Sequence, residues 1–96
     1  MPKPLLVITT LPDLESAERL AAELVEAGLA ACVNIGAEVT SVYRSEGQLQ
    51  RGTERMLPIK TRPARNAALE QANVATHPYE LPEVIALPIT SGLNDY

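Results

Sequence analysis

Ninety-six residues, 46% of them hydrophobic and 21% charged, suffice for one globular domain and exclude a disordered chain. Twelve acidic against eight basic residues leave a net charge of −4, which disfavours a phosphate backbone as partner, and three Tyr with no Phe or Trp exclude the aromatic platforms that stack single-stranded RNA. One Cys makes no internal disulfide and no apolar run approaches the ~18 residues of a membrane span, so the expectation is a soluble, reduced, cytoplasmic chain with neither nucleic acid nor membrane as partner.

Met1-Pro2-Lys3-Pro4 lacks the apolar core and cleavage site of a signal peptide. Leu5-Leu6-Val7-Ile8-Thr9-Thr10 is a β-branched apolar run closed by Pro12 and reads as a buried strand. Asp13 is placed to cap the helix that follows, with Glu15 and Glu18 near the positive end of its dipole. Leu14, Ala17, Ala21, Leu24 and Val25 form the apolar stripe of that helix, Glu15, Glu23 and Glu26 lie on its solvated side, and Gly28 supplies a left-handed stop. Residues 29–44 read as extended with a bend at Gly36-Ala37, Ser45-Glu46-Gly47 turns the chain, and residues 48–61 return, which predicts an antiparallel hairpin. Pro63 opens a second helix over residues 64–75, whose stripe is mostly Ala with Leu69 and Val74 as its larger members. Pro78 and Pro82 make 76–82 a loop, residues 83–90 form the last strand, and residues 91–95 read as the cap of a further helix.

The order β-α-β-β-α-β is the split βαβ pattern of α+β, ferredoxin-like sandwiches. Helices in this arrangement cover one face of the sheet, and the other should alternate to polar residues where it meets water. It does not: Leu6 and Ile8 oppose Leu5 and Val7, and Ile85, Leu87 and Ile89 oppose Val84, Ala86 and Pro88. At ~25 cal/mol per Å², roughly a few hundred Å² of bare apolar sheet is a penalty of several kcal/mol, so the second face is expected to be buried by other copies of the chain.

Few residues carry chemistry. Cys32 in a strand is, by type, a small buried hydrophobe, and His77 stands in a polar loop between prolines, beside Tyr79 and Glu80. A thiol, an imidazole and a carboxylate together suit copper or zinc, and the long spacing from Cys32 to His77 leaves their convergence open. Arg44 and Lys60, near strand ends, either reach an anion or reach water. There is no second His to act as base, no Gly-x-Ser-x-Gly elbow and no phosphate loop, so no nucleophilic enzyme is expected. Thr9-Thr10-Leu11-Pro12 likewise lacks the Gly-rich, Arg-bearing loop of an acylphosphatase.

Four blocks go further. Leu29-Ala30-Ala31-Cys32-Val33-Asn34-Ile35, Thr40-Ser41-Val42-Tyr43-Arg44, Ile59-Lys60-Thr61 and His77-Pro78-Tyr79-Glu80-Leu81-Pro82-Glu83 resemble the CutA family of divalent-cation tolerance proteins, and the resemblance runs from Leu5 to Tyr96. It implies a single domain over residues 1–96, assembled as a cytoplasmic homotrimer similar in architecture to PII-type signalling proteins. It also implies a non-catalytic protein that binds copper, zinc or another divalent cation, with no organic cofactor. By position, Cys32, His77 and Glu80 are the implied metal ligands, and Tyr43, Arg44, Lys60 and Tyr79 are implied to line clefts between subunits. The alternative is a PII-like sensor of a small anion, or a trimeric scaffold. The chain departs from the family pattern at Ser45-Glu46, where members carry Trp, and at Pro58, inside a central strand. It departs again at Asn73 and Thr76, in place of a basic residue and Leu, and at Asn94-Asp95-Tyr96, where members continue into a terminal helix.

Overall fold

In the computed structural model, which describes residues 4–93, the chain runs β1 (Leu5–Leu11), α1 (Leu14–Glu26), β2 (Cys32–Val33), β3 (Glu38–Ser45), β4 (Gln48–Thr61), α2 (Pro63–Thr76) and β5 (Val84–Pro88). The expected α+β, ferredoxin-like order is present, with one difference: the long extended stretch over 29–44 is two strands. The leader reading at Met1-Pro2-Lys3 and the helix cap at Asn94-Asp95 lie outside the described residues, and Ser91 to Leu93 are not helical.

Each helix begins where local chemistry dictates. Asp13 is extended and its Oδ1 accepts from the Ser16 N–H at 2.8 Å, while Ser16 Oγ donates to the Asp13 carbonyl at 3.2 Å. Gly28, at φ +72°, follows α1 as the left-handed stop. The buried residues of α1 are Ala17, Leu20 and Leu24, whereas Leu14 and Val25 are 43% and 45% exposed. This corrects the expected stripe: only the narrow line at spacings of three and four meets the sheet, and Leu14 and Val25 flank it. In α2, Pro63 takes the first turn and the buried line is Leu69 with Asn73, one turn apart, which leaves Val74 half exposed.

All strand pairs are antiparallel, in the order β2-β4-β1-β5, with β3 continuing along β4. Register puts Val7 level with Ile59 and Ala86. Val7 and Leu11 of β1, with Leu57 and Ile59 of β4, are fully buried and join Leu20, Leu24 and Leu69 in the core under the helices. The alternate residues form the other face. There Leu6 and Ile8 are half-buried, and Met56, Ile85 and Leu87 are 38%, 50% and 44% exposed.

The break between β2 and β3 has a steric cause. Five steps from Val33 to Glu38 oppose four from Ile59 to Arg55, so one extra residue bulges out at the expected bend. Gly36 N donates to the Met56 carbonyl at 2.9 Å, and a Cβ on Gly36 would lie 2.5 Å from that oxygen, so a side chain does not fit. Pro58 is accommodated at the same place. Its carbonyl accepts from Asn34 N at 3.0 Å, so its missing N–H faces the same edge, where β2 has already ended. Beyond the bulge, Glu46 and Gly47 turn the hairpin with φ +52° and +76°, the pattern of a type I′ turn. The 14-residue β4, at ~3.3 Å per residue, accounts for the 45 Å long axis of a body otherwise 25 by 22 Å.

Candidate functional site

The open sheet face deepens into a cleft of about 800 Å³ at the base of the β3–β4 hairpin, lined among others by Thr10, Ser41, Tyr43, Glu54, Met56 and Tyr79. Three elements converge on it: the end of β1, the hairpin, and the loop after α2.

His77 anchors that loop. Its N–H closes α2 on the Asn73 carbonyl at 2.9 Å, and its ring is 8% exposed beneath Thr10. Nδ1 accepts from the Tyr79 N–H at 3.1 Å, so Nε2 carries the proton and donates to the Thr10 carbonyl at 2.7 Å. Burial lowers the basicity of the imidazole and outweighs the opposing pull of the Thr10 bond and of Glu54, which keeps the ring neutral at pH 7. The rings of His77 and Tyr79 lie 4.9 Å apart at 40°. Tyr79 in turn donates its hydroxyl to Glu54 Oε2 at 2.7 Å. Burial pushes Glu54 up, but interactions with the side chains of Ser41, Tyr79 and Thr10, together with His77, outweigh it and hold the carboxyl below the usual carboxylate range. The Tyr79 phenol is driven well above its ordinary range by burial and by the adjacent Glu54. At neutral pH Glu54 is therefore ionised, while the His77 imidazole behind it and the Tyr79 phenol are neutral.

Cys32 is elsewhere. It is half-buried on the open face, level with Lys60 and, through Lys60, with Leu6 and Leu87. Lys60 donates its ammonium to Asn34 Oδ1 at 3.1 Å. From the level of Leu6 to that of Thr10 is four residues, ~13 Å along the sheet, and β1 and β2 are separated by β4. Metal–ligand bonds of ~2.0 to 2.3 Å do not span that gap, so Cys32 and His77 of one chain do not share an ion. Glu80 is exposed on the loop, and both His77 nitrogens are engaged within the chain. Among the described residues no three His, Cys, Asp or Glu come together as a metal-holding group. The implied ligand triad is thus not assembled within one chain.

Of the four residues expected to line a cleft, Tyr43 and Tyr79 do so together. Arg44 is exposed at the hairpin tip on the opposite face from Tyr43, and Lys60 lies toward Cys32. Sequence reasoning missed Glu54, Ser41 and Thr10. Alternation along β4 offered one signal: Glu54 shares a face with Met56 and Pro58, opposite the core residues Leu57 and Ile59, and is the acid next to that apolar pair.

Comparison with known proteins agrees with this architecture. The profile of the CutA1 divalent ion tolerance protein matches residues 5–96. The divalent-cation tolerance protein CutA of Thermus thermophilus is 42% identical over 90 residues, 94% of this chain and 87% of that protein. The chloroplastic CutA of Arabidopsis thaliana is 45% identical over 92 residues, 96% of this chain and 50% of its own length. The chain spans about half the length of this relative and of the chloroplastic CutA 1 of Oryza sativa, of which it covers 52%. The crystal structure of CutA1 from Oryza sativa superposes with a TM-score of 0.96 at 43% identity, covering 99% of this chain and 87% of that one. The Thermus thermophilus structure gives 0.94 at 41% identity, covering 97% and 90%. With a match along nearly its whole length and the same fold, the chain belongs to the CutA1 divalent ion tolerance family.

Proposed function

We propose that the chain is a non-catalytic divalent-cation tolerance protein that works as a homotrimer and takes copper, with zinc as the second choice, at the boundary between its subunits. The observation that carries this reading is the open sheet face, which carries Leu6, Ile8, Met56, Ile85 and Leu87 and, level with Leu6 and Leu87, the chain's only thiol. Such a face is what a second copy covers, and a soft thiolate on it is a donor for copper or zinc. The donor set of one chain does not fit the ion, so its ligands come from more than one chain: Cys32 from the open face, and His77 with Glu80 from the loop. For His77 to ligate, it must release either the Thr10 carbonyl or the Tyr79 N–H. The names of the relatives specify no reaction, and those from Thermus thermophilus and Citrobacter koseri specify divalent-cation tolerance. Those names also carry different addresses, chloroplastic for the Arabidopsis protein and periplasmic for that of Archaeoglobus fulgidus. Ours is cytoplasmic, which keeps Cys32 reduced.

The anion-sensor alternative loses support in the cleft, whose charged lining residues are Glu54 and Glu83. Arg62 and Arg65 line a separate cavity of about 200 Å³ at the start of α2. The test is a copper titration of reduced protein beside Cys32→Ser, His77→Ala and Glu80→Gln. Binding of about one copper per chain, lost in the Cys32 variant, supports the proposal. Binding that ignores all three substitutions overturns it.

A further inference from the structure

His77 is the chain's one histidine, and neither of its ring nitrogens is open. A neutral imidazole has a single ring lone pair, here on Nδ1, and the Tyr79 N–H occupies it at 3.1 Å. Nε2 carries the proton and donates it to the Thr10 carbonyl at 2.7 Å. A ligand or an electrophile therefore reaches that lone pair only after Tyr79 moves. Tyr79 is also held at its other end, by the 2.7 Å bond from its hydroxyl to Glu54 Oε2. Glu54, on β4, interacts in turn with the side chains of Ser41 on β3 and Thr10 on β1. The contacts close into a ring that runs from His77 to Thr10, Glu54, Tyr79 and back to His77. Pro78 stands between His77 and Tyr79, and its fixed φ leaves little slack between the phenol and the N–H that covers the imidazole.

We propose that Tyr79 is a two-ended latch on His77: while its hydroxyl holds Glu54, its N–H keeps the imidazole lone pair closed, and release of Glu54 opens it. Glu54 is thus a positioning residue that acts on His77 through Tyr79. Both Glu54 and Tyr79 line the cleft on the open sheet face, so the latch stands at the boundary where neighbouring copies are proposed to meet. Its use toward a metal rests on the copper reading above; the latch itself stands without it.

The probe is diethyl pyrocarbonate, which acylates an imidazole at its unprotonated nitrogen, applied to the reduced protein at neutral pH with the product mapped to His77 by peptide mass. The wild type should react slowly. Tyr79→Phe, which removes one oxygen and keeps the ring and the N–H, should react about tenfold faster, the factor expected for loss of one bond to a charged group. Glu54→Leu should react at least as fast, and adding Tyr79→Phe to it should change nothing further, because both act through the same bond. Glu54→Gln, which keeps an acceptor for the phenol, should stay near the wild type. An unchanged rate in Tyr79→Phe overturns the latch, as does an additive effect in the double variant. Should Glu54→Leu not fold, Tyr79→Phe decides alone. Copper titration separates the two readings: faster acylation of Tyr79→Phe with copper affinity unmoved by His77→Ala upholds the latch and removes His77 from the ligands. Unchanged acylation with affinity lost in His77→Ala overturns the latch and keeps His77 as a ligand.

Discussion

Asn73 should be the position where one substitution stabilises the chain most. It is wholly buried on α2, and neither its amide nitrogen nor its amide oxygen has a hydrogen-bond partner. Thr9, on the helix-covered face of β1, is also fully buried and its hydroxyl is likewise unpartnered. Protein data put the cost of burying such a group without a hydrogen bond at about 1–3 kcal/mol. Leu has the same branched skeleton as Asn, extends the Leu69 line of the helix and has the higher helix propensity, adding a few tenths of a kcal/mol. Asn73→Leu should therefore gain about 1–3 kcal/mol, which for a chain of this size raises Tm by about 4–8 °C per kcal/mol. Urea unfolding at fixed protein concentration measures it, with an unchanged slope showing that the folded and unfolded ensembles are otherwise the same. A loss of about 1 kcal/mol or more would refute the reasoning, because it would mean that the amide is satisfied in solution. Thr9→Val in the same background then decides how: coupling between the two substitutions would point to a shared polar bridge.

Acid should destabilise the protein in two stages. Asp13 and Glu54 sit below their ordinary values of 3.8 and 4.5 when folded, so the stability they contribute is complete above those values and is lost as pH falls through the lower folded ones. His77 is also lowered, from 6.5, so the unfolded chain takes up its proton first and stability already declines below about pH 6.5. Urea midpoints followed from about pH 7.5 downward should show both stages, with His77→Gln removing the upper one and Glu54→Gln weakening the lower. Gly36→Ala should cost about 1–3 kcal/mol in the same assay, since its Cβ meets the Met56 carbonyl at 2.5 Å; a neutral result would mean that the bulge relaxes freely. His77→Phe removes the Thr10 and Tyr79 bonds, and limited proteolysis should then cut faster within 77–82; an unchanged rate would show that Pro78 and Pro82 hold the loop without the imidazole.

Residues whose roles are set locally were legible in the sequence. The apolar run of β1, the Asp13 cap, the Gly28 stop and the Glu46-Gly47 turn each depend on neighbours within a few positions, and each is found in place. What was not legible depends on distant partners. The stripe of α1 runs through Leu20 and not Val25 because the sheet beneath decides which side of the helix is covered. The split of 29–44 needs Gly36 to meet Met56, twenty residues on. The separation of Cys32 from His77 follows from strand register, which sequence spacing does not reveal. The cleft needs a hydroxyl from β1, a carboxylate from β4 and a phenol from the loop after α2, and none of these marks a site by itself.

The most direct test of the assembly on which copper binding depends is a light-scattering mass of the wild type beside Ile85→Glu, which places a charge on the open face at a half-exposed position outside the core. The expected result is three times the 10.3 kDa chain mass for the wild type and a fall toward one chain for the variant. A wild-type mass of one chain at about tens of micromolar would show that the apolar face stays in water, and would remove the boundary at which Cys32 and His77 from different chains are proposed to meet.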